Sequence, residues 1–311
     1  MTGMLLAIAP IFVVIALGHV LRRGGIPSTD FWNLNDKLVY WLLFPSLLFY
    51  KMATLELSGR LLGSFAATIY MGFGSAVLFA LVTGLLFRLD RPVWTSVIQG
   101  CARHNTFIAL AVAERVFGAD GLALAALVSA MLIPVTNVTV VTLMVPLLQR
   151  DREGSFARAV AGELLRNPIL MAVVLGVAVN LSGVEHVPVL YDVTRMLGAA
   201  ALPIVLLCVG ANIRVRAMAA AAAPTLLSIA GKMVVFPIVI ALTGAAIGLA
   251  PEAIVTVMIF GAVPTAASAY TLARQMGGDA PAMAGMVTIQ TALAFLTLPF
   301  TLSLAQYVLG A

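Results

Sequence analysis

Residues 115–128 read RVFGADGLALAALV, and residues 274–287 read RQMGGDAPAMAGMV. Aligned at an offset of 159, six of these fourteen pairs are identical, and most of the others are conservative. The same offset sets Asn105-Thr106 against Pro264-Thr265 and Ser129 against Thr288. Pro45 and Pro203 stand at nearly that offset. The chain therefore reads as two copies of one unit.

Composition says where those copies reside. Apolar residues make up 62% of the 311 positions and charged residues 10%, against about 45–50% and about 25% in soluble proteins. This excludes a disordered chain, a nucleic-acid-binding module and an ordinary cytosolic enzyme. It indicates an all-α polytopic membrane protein. The net charge of +5 is ascribed to loop arginines at the membrane surface. Cys101 and Cys208 lie in apolar runs and are expected as two buried thiols.

A transmembrane helix needs about 20 mostly apolar residues. Ten stretches qualify, near 4–21, 36–53, 61–87, 94–113, 121–148, 168–184, 196–212, 218–248, 252–273 and 281–309. Asn33-Leu34-Asn35-Asp36 is expected to open the second, and Asn167-Pro168 to open the sixth with an N-cap and a first-turn proline. The first has its charges, Arg22 and Arg23, behind the apolar run, and reads as a retained helix rather than a signal peptide. Each copy then holds five spans: residues 1–150 and 167–311, joined by a loop at 151–166. An odd number of spans forces the second copy to enter the membrane upside down, an arrangement common in secondary transporters. Twelve loop Lys and Arg residues fall on one side and four (Lys51, Arg60, Arg115, Arg195) on the other. Positive charge marks the cytoplasm, so both termini are expected in the periplasm of a bacterial inner membrane protein.

The repeat pairs spans four and nine. Span nine carries Gly261-Ala-Val-Pro264-Thr265-Ala-Ala-Ser268. Proline there removes a donor and clashes with the carbonyl four residues back. Span four carries Arg103-His104-Asn105-Thr106 in mid-membrane, where polar side chains must face protein or water. Two broken helices crossing at the midplane would aim backbone N–H groups at one anion site. Asn105, Thr106, Thr265 and Ser268 are expected to line it. Arg103 either pairs with an anionic substrate or snorkels to the interface. His104 can titrate. Lys232, deep in span eight, either compensates an anion's charge, acts in coupling, or forms a structural pair. Ser46, Asn137 and Gln290 are secondary candidates, for which interhelical hydrogen bonding is the plainer reading. Asp120 and Asp279 are read as helix caps. No span carries a central carboxylate pair, the histidines are too dispersed for a metal, and no catalytic motif is present. The chain is not expected to be an enzyme or to carry a cofactor.

With these motifs in hand, the chain resembles the auxin efflux carrier family, the bacterial relatives of plant PIN-type transporters, over essentially its whole length. The carrying residues are Pro45-Ser-Leu-Leu-Phe49, Arg103-His-Asn105-Thr106-Phe-Ile, Asn167-Pro168, Lys232 with Pro237, and the run from Ala262-Val-Pro264 to Leu298-Pro299. The resemblance implies ten helices in two inverted five-helix repeats. It implies a scaffold from spans one, two, six and seven, and a transport domain from the other six spans. Crossover helices four and nine, elevator-like movement and a homodimer are implied as well. Implied substrates are organic anions such as malonate, malate or indole carboxylates, with Asn105 and Pro264 at the crossover. The family often has a proline in the first crossover; residues 103–113 have none, so a break there must rest on Asn105 and its neighbours. The expected function is secondary transport of small organic anions, with H+ or Na+ as the open choice of coupling ion. A sodium-coupled symporter of bile-acid-type anions and a membrane sensor or channel are the rivals.

Overall fold

The computed structural model describes residues 2–55, 59–148, 167–184, 187–220 and 222–310. The expected loop at 151–166 lies outside them. Every regular element among the described residues is helical. Six stretches are long and apolar enough to cross a membrane, and Pro168–Leu181 and Pro251–Ala262 are shorter apolar helices.

Helix α1 (Thr2–Arg23) ends on Arg22 and Arg23, which favour both the negative end of the helix dipole and the membrane surface. Helix α2 (Thr29–Leu38) is short and amphipathic and buries Trp32. Its N-cap is Ser28, whose hydroxyl accepts from the N–H of Phe31 at 3.2 Å. The helix thus starts ahead of Asn33–Asp36, and the expected start there is corrected: those residues lie inside α2. A π-helical turn (Val39–Leu43) leads into α3 (Phe44–Ala53). A second π turn (Ala230–Val235) joins α9 (Ala222–Ile229) to α10 (Phe236–Ile247). Both π turns run into a Phe-Pro pair, Phe44-Pro45 and Phe236-Pro237. Proline offers no N–H and crowds the carbonyl four residues back; widening the preceding turn relieves both problems without breaking the helix.

Helix α4 (Gly59–Leu86) precedes α5 (Arg91–Ala102), and α6 spans Thr106–Leu148. Gly118, at φ 67° and ψ −148°, divides α6 into two helices. Then come α7 (Pro168–Leu181), capped by the Asn167 side chain on the N–H groups of Ile169 and Leu170, and α8 (Leu190–Ala211). After a 3-10 segment (Val215–Ala220) and the α9–α10 pair come α11 (Pro251–Ala262), α12 (Ser268–Met276) and α13 (Ala280–Leu309). Asp279 caps α13, accepting from the N–H of Ala282 at 2.9 Å. For Asp120 no cap contact is seen; it follows the Gly118 break. Both cysteines are free and buried.

The helices pack as two groups. Helix α1 lies on α8, and α3 lies on α7 and α8. Helices α4, α5, α9, α10, α11 and α13 pack among themselves, with α11 also against α6. Lipid-like packing has no hydrophobic drive between helices, so close approach depends on small residues. Gly18 of α1 faces the Leu207 backbone, and Gly210 of α8 faces the Ile15 backbone, so closely that neither has room for a Cβ.

Candidate functional site

The first break separates α5 from α6. Arg103 leaves the helix in an extended conformation at φ −87°, ψ 136°, and residues 103–105 are non-helical. The side chain of Asn105 restarts the helix: its Oδ1 accepts from the N–H of Ile108 at 3.2 Å, an N-cap contact that proline could not make. The second break separates α11 from α12. Val263 is extended at φ −74°, ψ 156°, and Pro264 prevents the helix from continuing. The two breaks meet directly, because the N–H of Asn105 donates to the carbonyl of Pro264 at 2.8 Å.

A cavity of about 580 Å3 opens at this crossing. Arg103, His104, Asn105 and Thr106 line it from the first break, and Ala266, Ala267 and Ser268 from the second. It therefore faces the N-terminal ends of α6 and α12, the positive poles of those helices; of their first-turn N–H groups, that of Ile108 donates to Asn105 Oδ1 and those of Ala269 and Tyr270 to the Ala266 and Ala267 carbonyls. Arg103 extends over it, donating to Asn137 Oδ1 at 3.1 Å and to Ser268 Oγ at 3.5 Å. The Asn105 carboxamide, once its oxygen has capped α6, still presents its NH2 to the cavity. Among the described residues, His104 Nδ1 and Thr136 Oγ1 are buried without a hydrogen-bond partner, and both residues line the same cavity. Phe44, Phe107, Ile133, Ile169 and Val205 supply an apolar wall. Orphaned buried polar groups beside helix N-termini and an arginine, with an apolar wall opposite, suit an amphiphilic anion.

Other expected residues sit behind the crossing rather than in the cavity. Thr265 is fully buried. Its N–H donates to Gln290 Oε1 at 2.8 Å, and its hydroxyl lies 2.8 Å from that oxygen and 2.9 Å from the Gly100 carbonyl. Gln290 Nε2 donates to Ser228 Oγ at 2.9 Å. Lys232, in the second π turn, is fully buried and donates from Nζ to the Arg103 carbonyl at 2.7 Å. No carboxylate pairs with it: among the described residues the one salt bridge joins Arg195 to Asp192 at the surface. Its ammonium thus lies at the carbonyl end of α5, where the dipole favours a cation. Ser46 is half a helix away in role as well as place, donating to the Leu42 carbonyl at 2.7 Å inside the π-turn region and lining neither main cavity.

Asp36, Asn212 and Arg214 also line the cavity, as does Thr136, and none of them stands out as a site residue in the sequence. Arg214 lies over the Tyr270 ring, 4.0 Å from its centroid. Asp36 had been read as a helix start. Polar residues at the ends of apolar spans look like interface residues, and only the packing of α2 against α8 turns them inward. A second cavity, about 510 Å3, lies between α1, α3, α6 and α8 and carries Lys51, Glu114, Arg115 and Arg195.

Six helices long and apolar enough to cross a membrane, around an interior cavity into which two helix breaks open, indicate a multi-pass membrane protein. Residues 155–302 match the model of a family described as membrane transport protein, in keeping with the resemblance to auxin efflux carriers over that part of the chain. The chain is also similar to an uncharacterized transporter of Methanothermobacter thermautotrophicus (strain Delta H), 21% identical over 300 residues, covering 93% of this chain and 94% of that one.

Proposed function

We propose that the protein is a secondary active transporter of small organic anions across the bacterial inner membrane, with both termini periplasmic. Ten membrane passes in two inverted five-helix units carry it. Spans four and nine are the broken pairs α5–α6 and α11–α12. The observation that bears most weight is the meeting of two helix N-termini at one cavity beside Arg103 and the Asn105 amide. A substrate carboxylate placed there receives backbone N–H groups, the Asn105 NH2 and the Arg103 guanidinium, with Thr106 and Ser268 hydroxyls beside it. The apolar wall then takes the rest of the molecule. Malonate, malate and indole carboxylates all fit this chemistry.

Alternating access follows from the two packing groups. The group of α1, α2, α3, α7 and α8 serves as a scaffold and as the dimer-forming part, and the remainder moves against it in elevator fashion. Lys232 serves as fixed charge compensation at the crossing. It occupies the carbonyl end of α5 where a mobile cation would otherwise bind, which favours proton coupling over sodium symport.

The test is uptake of labelled malonate and labelled indole-3-acetate into proteoliposomes, with and without an inward proton gradient. Saturable uptake of either, stimulated by the gradient and indifferent to sodium, supports the proposal. Sodium-dependent uptake favours the bile-acid-type symporter, and non-saturable flux favours a channel.

A further inference from the structure

The cavity that faces two helix N-termini and two arginines also holds one carboxylate. Among its lining residues Asp36 is the single acid. An acidic group in an anion site needs a reason, because as a carboxylate it repels the substrate.

Its surroundings supply one. Asp36 is half-buried on α2 and lies against the C-terminal end of α8, the negative pole of that helix. Asn212, the C-cap residue of α8, donates from Nδ2 to Asp36 Oδ2 at 3.0 Å. Arg22 of α1 does not reach the carboxylate; its Nη1 donates to the other end of the same amide, Asn212 Oδ1, at 3.2 Å. The remaining groups facing Asp36 are the Cys208 thiol from α8 and, as fellow lining residues, Arg103, His104 and Arg214. Lys37, its neighbour on α2, is exposed. The carboxylate therefore has a neutral amide between it and the Arg22 guanidinium, a helix C-terminus beside it and the anion cavity before it. Burial pushes its carboxyl up, against the Asn212 amide, the Cys208 thiol and the Arg22 charge, which favour the charged form, and the helix pole and an arriving anion add to the push.

We infer that Asp36 is the proton-binding group of the cavity, taking up a proton from the water at the cavity's mouth as an organic anion enters and releasing it to the water on the side where the anion leaves. The inference rests on the anion-transport reading above. It names the residue through which that transport is tied to protons. The proton goes from water to a carboxylate oxygen, and no other bond changes.

The test uses the purified full chain in detergent and in proteoliposomes. Trp32 is buried one helical turn before Asp36 and packs with Cys208 and Ala211; with the other two tryptophans, Trp41 and Trp94, replaced by Phe in every protein compared, tryptophan fluorescence reports on this corner. We expect a sigmoidal change of fluorescence with pH in the protein that keeps Asp36 that is absent from Asp36→Asn, a substitution that keeps the acceptor for Asn212. His104→Gln retains the transition. A transition that is the same in Asp36→Asn, or that is lost in His104→Gln instead, overturns the inference. In proteoliposomes, uptake of malonate or indole-3-acetate is stimulated by an inward proton gradient in the unmodified protein and loses that stimulation in Asp36→Asn; stimulation that persists in the variant overturns the inference. If neither anion is taken up, the failure falls on the choice of substrates, and the fluorescence titration still decides the proton site.

Discussion

Asn105 does two things with one amide, and substitutions can separate them. Its oxygen caps α6, and its NH2 faces the cavity. Asn105→Ala removes both, at about 1 kcal/mol of stability. Asn105→Ser keeps a capping oxygen and loses only the amide donor. The serine variant should unfold within a few degrees of the parent, yet bind malonate or indole-3-acetate about tenfold more weakly, as read by thermal unfolding and saturable uptake. Equal affinity in the serine variant would remove Asn105 from the site. Lys232 poses the complementary case. Replacing it with Met strips the Arg103 carbonyl of its ammonium partner, a loss of about 1–3 kcal/mol, while relieving the burial of an ion without a carboxylate. Thermal stability should change little, and uptake should fall at least tenfold because the crossing loses its fixed cation. Uptake at the parental rate would make Lys232 a purely structural residue.

At the scale of elements, prolines and glycines were the readable punctuation. Asn167-Pro168 and Asp279 cap helices as their positions required. The aligned residues Gly118 and Gly277 both hold positive φ, at 67° and 79°, a region that glycine adopts readily, but with ψ of −148° and 23° the two bends differ. The π turns were not readable: Phe-Pro signalled a kink, and whether the strain is absorbed by a bend or a wider turn depends on neighbouring helices. The first crossover is broken without a proline, because an asparagine cap and an interhelical hydrogen bond from its N–H to Pro264 replace what proline does elsewhere. The α1–α8 crossing is the most sensitive packing element. A methyl at Gly210 would meet the Ile15 carbonyl of α1. Gly210→Ala should lower stability by about 1–3 kcal/mol, seen as a reduced melting temperature in detergent, whereas Gly74→Ala, with open space at its Cβ, should leave it unchanged.

Across the whole molecule, the two cavities are stacked along the same three helices. On α3, Phe44 lines the first and Leu47 the second; on α6, Phe107 lines the first and Ala111 the second; on α8, Val205 and Leu206 do the same. The layer between them centres on Phe44 and Phe107, whose rings meet edge to face with centroids 4.6 Å apart. This pair joins α3 to α6 in the layer between the two cavities. Phe44→Ala combined with Phe107→Ala should open a leak: labelled anion should escape preloaded liposomes without saturation, at several times the rate of the parent. A leak no greater than the parent's would place the barrier elsewhere.

The sequence by itself determined the apolar, all-helical class of protein and the two places where helices break; of the ten spans it marked, six are long apolar helices in the structure and two regions are shorter ones. Those follow from local chemistry: apolar length, missing proline donors, capping side chains and charges outside the spans. Tertiary structure alone decided which polar residues share the cavity. Thr265 and Gln290 turn away to bond each other, and Lys232 turns toward a carbonyl. Asp36, Asn212 and Arg214 turn inward. A side chain's direction depends on how its helix is rotated against its neighbours. That rotation is set by contacts such as Gly18 on Leu207, between residues far apart in the chain.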